Sequence, residues 1–324
     1  MDIKLAGGVP KILEFNGLGS VLKGYPGGEP SALGRMHDAV ASVGLPLYAY
    51  PPDAGDSSWV AGTHPIAEAE RFYGGNHLDK VTDLRDAEAI VWGPLIAQKS
   101  VDQGRAIVVN PPDFDDVLQD KTNVKLMCER AGLPEHSPRT WPYHPADAIR
   151  TAERVLDEHP EIERFVTKPA FGSNSQGVHA VPRDQLMDFM TDRFVKAPPA
   201  LSLSEARDSA PEEFWMRRFP FPFLLQEYAP SGLITAEDGH EYDATMRVGV
   251  LGIANRDVLA TVPIVGYWKT PHEPAESGWS DDSAISDIDS PVSNIDVNAT
   301  DFQVAFRTVS PVLRCYLEAT RQRL

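Results

Sequence analysis

The segment Phe165-Val-Thr-Lys168-Pro-Ala-Phe-Gly172-Ser173-Asn-Ser175-Gln-Gly177-Val-His-Ala-Val181 constrains the fold more than any other part of the chain. An apolar run ends in a lysine, a small polar loop bounded by glycines follows, and a second apolar run begins. Glycine lets the backbone approach an anion closely. Successive N–H groups, helped by serine hydroxyls, can then hold phosphate oxygens, and Lys168 adds charge. Gly172 and Gly177 have the first spacing of a P-loop. No Gly-Lys-Ser/Thr follows, and the next element reads as a strand rather than a helix, so that motif is excluded. Taken alone, the segment also fits a plain hairpin turn with an exposed lysine.

The remaining pattern supplies a context. Lys11–Phe15, Leu45–Tyr50, Ala89–Trp92 and Ala106–Val109 read as strands. Apolar positions Ala32, Leu33, Met36, Ala39, Val40 and Val43 repeat at helical spacing between the first two, with Gly44 as the stop. That alternation predicts a small parallel α/β unit. Asn110-Pro-Pro-Asp-Phe-Asp-Asp breaks it. A helix is predicted from Lys121 to about Ala131, ended by Gly132 and Pro134, and another over 144–158. Strands follow at Arg164–Lys168, Val178–Val181, Phe223–Tyr228, Tyr242–Leu251 and Val258–Gly266, the last two joined by a short turn into a hairpin. Residues 271–291 are acidic, Ser- and Pro-rich and without periodicity, and read as a mobile loop. Phe302, Ala305, Val309, Val312, Leu313, Tyr316 and Leu317 share one side of a closing amphipathic helix.

Charge narrows the partners. The 324 residues carry 30 Lys and Arg against 47 Asp and Glu, a net charge of −17. Such a surface repels phosphate backbones and anionic lipid heads, so neither nucleic acid nor a membrane surface is an expected partner. An anionic small ligand would need a local cationic pocket. The two cysteines, Cys128 and Cys315, form no CxxC pair and read as structural thiols. No apolar run reaches the ~18 residues of a membrane helix, and the first residues lack the pattern of a signal peptide. The expected location is the cytoplasm.

The phosphate-loop segment has companions in a fixed order. Upstream lie Val109-Asn110-Pro111, Asp120-Lys121, Gly132-Leu-Pro134 and Pro138-Arg-Thr140; downstream lie Gln226-Glu227-Tyr228 and Asp243-Ala-Thr-Met-Arg247-Val. This series resembles the ATP-grasp family of carboxylate–amine ligases, which includes D-alanine–D-alanine ligase and glutathione synthetase. The match spans about Val109 to Arg247. The resemblance implies an α/β fold in three parts: an α/β domain over 1–113, a small lobe with the phosphate loop over 114–225, and a large lobe over 226–324. ATP would lie between the two lobes. It also implies that Lys121 and Lys168 reach the phosphates and that Gly172, Ser173, Ser175 and Gly177 form the closing loop. Gln226, Glu227, Tyr228 and Ala229 would form the hinge strand that reads adenine, and Glu237 would hold the ribose. Arg247 and Lys269 would face the transferred phosphoryl group.

The implied reaction joins a small-molecule carboxylate to an amine through an acyl phosphate, releasing ADP and phosphate. Its cofactors would be ATP and Mg²⁺, and a homodimer is compatible with it. In the family an acidic residue on one strand and a Glu-x-Asn on the next bind the metal. No Glu-x-Asn occurs near the C-terminal end here, and Asp296, Asn298 and Asp287 are the nearest substitutes. A second alignment would leave the chain without metal strands, as a truncated or degenerate enzyme. A phosphotransferase on the same scaffold, a nucleotide-binding protein without catalysis, and an unrelated α/β protein are the alternatives.

Overall fold

The computed structural model describes residues 1–5, 9–16, 47–49, 90–92, 107–108, 120–170, 177–195, 222–254, 259–286, 290, 292 and 295–321. The helix expected over 32–43, and the site candidates Gly172, Ser173, Ser175 and Asp287, lie outside them.

In chain order, β1 (Asp2–Lys4) and β2 (Lys11–Glu14) come first, followed by β3 (Leu47–Ala49), β4 (Ile90–Trp92) and β5 (Ile107–Val108). The last three form a parallel sheet in the order β3-β4-β5, as the alternating pattern predicts. Next is α1 (Asn123–Arg130). Asp120 organises its start by accepting from the Thr122 N–H and hydroxyl at 2.9 and 2.6 Å. Its end is a Schellman turn: Gly132 sits at φ 72°, and Leu133 donates its N–H to the Cys128 carbonyl at 2.9 Å. Glycine has no Cβ to oppose that left-handed conformation.

A four-stranded antiparallel sheet follows. It comprises β6 (Thr140–Tyr143), β7 (Arg164–Pro169), β8 (His179–Pro182) and β9 (Phe223–Glu227), in the spatial order β6-β9-β7-β8. Helices α2 (Ala148–Glu158) and α3 (Leu186–Met190) cover one face. Ala152, Val155, Phe165, Leu186, Met190 and Leu225 form its core, each fully buried. The period-2 alternation of β7 sends Phe165 into this core, and its end delivers Lys168 to the opposite side.

The small antiparallel pair β10 (Ile234–Thr235) and β11 (Glu241–Tyr242) leads to the long hairpin of β12 (Thr245–Ala254) and β13 (Leu259–Lys269). Both long strands are rich in Val and Ile, as half-buried strands should be. Their register shifts by one residue between Gly249 and Val250, next to Pro263. Proline has no N–H for the ladder, and a bulge is where a sheet accommodates it. The segment 271–291, read as a loop, contains α4 (Asp281–Ala284), started by a capping box between Ser280 and Ser283. The chain then forms β14 (Ile295–Asp296) and α5 (Ala299–Arg321).

These elements build a five-stranded antiparallel sheet in the order β14-β13-β12-β1-β2. Helices α1 and α5 pack against it through Val124, Met127, Cys128, Ala305, Val309, Val312 and Leu313. Ile3, Ile12 and Phe15 from the first strands complete this core. Residues of β1 and β2 fall within the expected first domain, 1–113, yet they pair with the strands of the expected third. Asp2 is opposite Arg247 and Ile3 opposite Met246. The Met1 amino group and the Val248 carbonyl, 2.9 Å apart, continue the ladder. The physical reason is burial: without these three apolar side chains, one side of the β12–β13 hairpin would remain wet.

Candidate functional site

A cleft with a cavity of about 90 Å³ separates the four-stranded sheet from the five-stranded one. One end is mainly apolar, with Val166, Val178, Tyr228, Ala229, Ala284 and Ile285. The other end is charged, with Asp2, Glu14, Lys121, Lys168 and Lys269. Sequence-distant cations therefore meet in one place, as the acidity of the chain requires of an anion site.

Lys168 is 5 % exposed, at the end of β7, and donates to the Leu13 carbonyl at 3.2 Å. Burial pushes its pKa down to about 8 against the nearby charge of Glu14, and Lys121 lowers it further. Lys121 opens the turn before α1, with its Nζ 3.8 Å from Glu14. Gly177, at φ 67°, lets the chain enter β8; a Cβ there would meet Pro169 Cγ at 3.1 Å. Of the hinge residues, Gln226 uses its Nε2 to donate to Thr140 Oγ1 at 2.9 Å. The Glu227 carboxylate accepts from Arg139 Nε at 2.9 Å and is held below the usual carboxylate range by that contact. Tyr228 packs edge-on against Trp279, ring centroids 4.4 Å apart, and donates its hydroxyl to Asp243.

Two further expectations separate from the cleft. Glu237 is exposed in the turn between β10 and β11 and does not line it. Nearer the hinge is Asp243, which accepts from Tyr228, from the Ser231 N–H at 2.8 Å and hydroxyl at 2.7 Å, and from Lys4 at 2.6 Å. Asp296 is exposed on β14. Asn298 caps α5, accepting from the Asp301 N–H at 2.9 Å and donating to its carboxylate at 2.7 Å. A side chain committed to a helix start on the outer surface is badly placed to hold a metal in the cleft. Neither Asp296 nor Asn298 lines the cleft.

The carboxylates that do reach the cleft come from the other end of the chain. Asp2 and Glu14 are cross-strand partners on β1 and β2. Two residues on is Asn16, whose Nδ2 donates to Glu14 Oε1 at 3.2 Å. Glu14-Phe15-Asn16 is a Glu-x-Asn, with an acid on the neighbouring strand. The pattern is legible in the sequence, at the opposite end of the chain from Asp296 and Asn298. Two carboxylates and an amide are hard oxygen donors, the set that suits Mg²⁺ with phosphate and water completing the shell. Among the described residues no group of three or more His, Cys, Asp or Glu comes together.

Asp2 is 2 % exposed. Arg247 Nε and a terminal guanidinium nitrogen each donate to it at 2.7 Å, and Lys269 Nζ does so at 2.6 Å. Burial opposes its charge, yet the Arg247 and Lys269 cations hold its carboxyl well below the usual carboxylate range. Sequence reasoning placed Arg247 and Lys269 together. It missed Asp2 as the group between them.

Comparisons with known proteins give distant likenesses only. The chain resembles ATP-grasp ligases. No protein-family model and no curated protein matches it. A solved D-cycloserine synthetase, DcsG, is similar at 17% identity and a TM-score of 0.45, over 84% of this chain and 82% of that one. The D-alanyl-alanine synthetase A of Vibrio cholerae is similar at 9% identity and 0.37, over 71% of this chain and 58% of its own. The ATP-grasp ligase PsnB, solved with a minimal precursor, is similar at 13% identity and 0.34, over 82% and 99%. The likeness is low, and no residue's role is taken from it.

Proposed function

We propose that this protein is an ATP-dependent ligase that joins a carboxylate to an amine through an acyl phosphate. The observation that carries the reading is the convergence of Lys121, Lys168 and Lys269 with Asp2 and Glu14 at one end of a cleft whose other end is apolar. An adenine ring would lie against the apolar Val166, Val178 and Ile285, and a triphosphate beside the charged residues. Asp2, Glu14 and Asn16 would hold Mg²⁺, which supplies charge neutralisation between the phosphates when bound.

Phosphoryl transfer leaves the protein mainly with positioning and charge stabilisation. Lys168, at the end of β7, and Lys121, in the turn before α1, would approach the phosphates. Arg247 and Lys269 are diagonal neighbours on β12 and β13, joined through Asp2, and would give a rigid platform for a developing acyl phosphate. Their burial strengthens each interaction, because little water competes. Exclusion of water also protects an acyl phosphate from hydrolysis. The carboxylates on β1 and β2 favour a catalytic site over a degenerate nucleotide-binding one. The reading gives the reaction class; substrate identity depends on loops that bind the carboxylate and amine.

The test is direct. Mg-ATP is expected to raise the melting temperature of the protein, and Lys168→Ala to remove most of that rise. ADP and free phosphate should form only when a carboxylate and an amine are both supplied. ADP without free phosphate would select a phosphotransferase instead, and no thermal shift with Mg-ATP would overturn the nucleotide site.

A further inference from the structure

Both acids at the charged end of the cleft are already paired with cations. Each acid suited to a metal is held by a cation suited to a phosphate. Both oxygens of Asp2 are occupied, by Arg247 at 2.7 Å and by Lys269 at 2.6 Å. Glu14 faces Lys121 at 3.8 Å. The same acids and Lys121 also act on Lys168, so the whole set shares one field. Lys4 and Asp243 form a separate, balanced pair beside it.

We propose that these contacts are a charge swap that makes metal and nucleotide binding mutually dependent. The proposal rests on the reading of the cleft as a Mg-ATP site. On loading, Asp2 and Glu14 exchange arginine and lysine for the metal, while Arg247, Lys269 and Lys121 exchange carboxylates for phosphate oxygens. Either ligand alone does half of this. Bare ATP would leave Asp2 and Glu14 buried beside its own negative charge. A bare metal would leave Arg247 and Lys269 buried without their carboxylate, a costly state for a desolvated cation.

Charge balance leads to the same result. Among the described residues, with the Lys4–Asp243 and Arg139–Glu227 pairs and the buried Met1 amino group set aside, Lys121, Lys168, Arg247 and Lys269 surround Asp2 and Glu14, four cations against two carboxylates. The surplus of two positive charges complements Mg-ATP, at about −2, better than ATP at about −4 or Mg²⁺ at +2, once the ion's own charge is counted. Arg247, Lys269 and Lys121 are therefore less available to other anions, since Asp2 and Glu14 pair with them.

Isothermal titration calorimetry with a non-hydrolysable ATP analogue tests this, with and without MgCl₂, alongside MgCl₂ alone. In the wild type, Mg²⁺ should tighten analogue binding by roughly 5- to 150-fold, the ordinary range of coupling between sites. Any metal-dependent nucleotide site shows some such effect, so the variants decide. Asp2→Asn releases Arg247 and Lys269 and should tighten metal-free binding by roughly tenfold while shrinking the Mg²⁺ effect. Glu14→Gln, at a half-buried position that tolerates change, should do the same to a smaller extent through Lys121. If Asp2→Asn does not fold, Glu14→Gln decides alone. Metal-free affinity that is unchanged or weaker in the folded variants overturns the swap but leaves the nucleotide site standing. A wild type that binds no Mg-analogue overturns both.

Discussion

At the residue scale, Lys168 carries the clearest prediction. Its sequence context marks it as a phosphate lysine, but its burial follows from the meeting of two sheets. Because its pKa falls to about 8, below the unfolded lysine value, the unfolded chain binds the extra proton between about pH 8 and pH 10.4. Stability from this group therefore rises with pH across that window. Nucleotide affinity should move the other way, falling above about pH 8 as the ammonium is lost. Lys168→Met should flatten both trends, and thermal melts and binding titrations from pH 7 to 10 check it. A parallel pH dependence in that variant would assign the effect elsewhere. Asp2 has the same sign in a lower window: its carboxyl is also depressed on folding, so its stabilising charge is present above about pH 4 and is lost as pH falls below that. Nothing in a lone N-terminal aspartate announces this, because its two partners lie 245 and 267 residues away.

At the element scale, two contacts hold the layers together. Helix α5 crosses β13 at Gly266, where an added Cβ would come within 2.5 Å of Phe302 Cδ2. Gly266→Ala should lower stability by about 1–3 kcal/mol, the range for overpacking, seen as a reduced urea midpoint. Nucleotide affinity of the folded fraction should stay unchanged, since the contact is on the far side of the sheet from the cleft.

The second contact is α4, which docks on the edge of the small sheet. Asp281 accepts from the Ala180 N–H at 2.6 Å and pairs with His179 Nδ1 at 2.8 Å. Just before it, Trp279 packs on Tyr228 and beneath Arg164. Asp281→Ala leaves two buried donors unmet and should speed proteolytic cleavage within 271–286. Mg-ATP, by drawing the two sheets together, should restore part of the protection. The sequence described this stretch as an acidic loop without periodicity. Its order comes from partners on another sheet, which no local pattern encodes.

At the whole-molecule scale, the large sheet is assembled from both ends of the chain. Strands β1 and β2 are the outer two of five, yet they carry the acids and three core side chains. Pairing across this sequence distance carries a large loop-closure cost before any contact forms, so the sheet should assemble late and open as a unit. Amide exchange should therefore give Ile3 and Lys4 the same protection as Val248 and Tyr267. Fast exchange in β1 beside slow exchange in β12 would separate them.

The sequence by itself determined the local elements and the cationic half of the site. Gly132 ended its helix, Val and Ile alternation marked β12 and β13, and the lysines stood out because the chain is so acidic. These signals are short-range, carried by backbone conformation and side-chain periodicity. The acidic half was decided by tertiary structure. The Glu-x-Asn at Glu14 reads as an ordinary strand end until β1 and β2 are placed beside Arg247. Burial of Ile3, Ile12 and Phe15 places them there, and that burial gathers two scattered carboxylates and four scattered cations into one site.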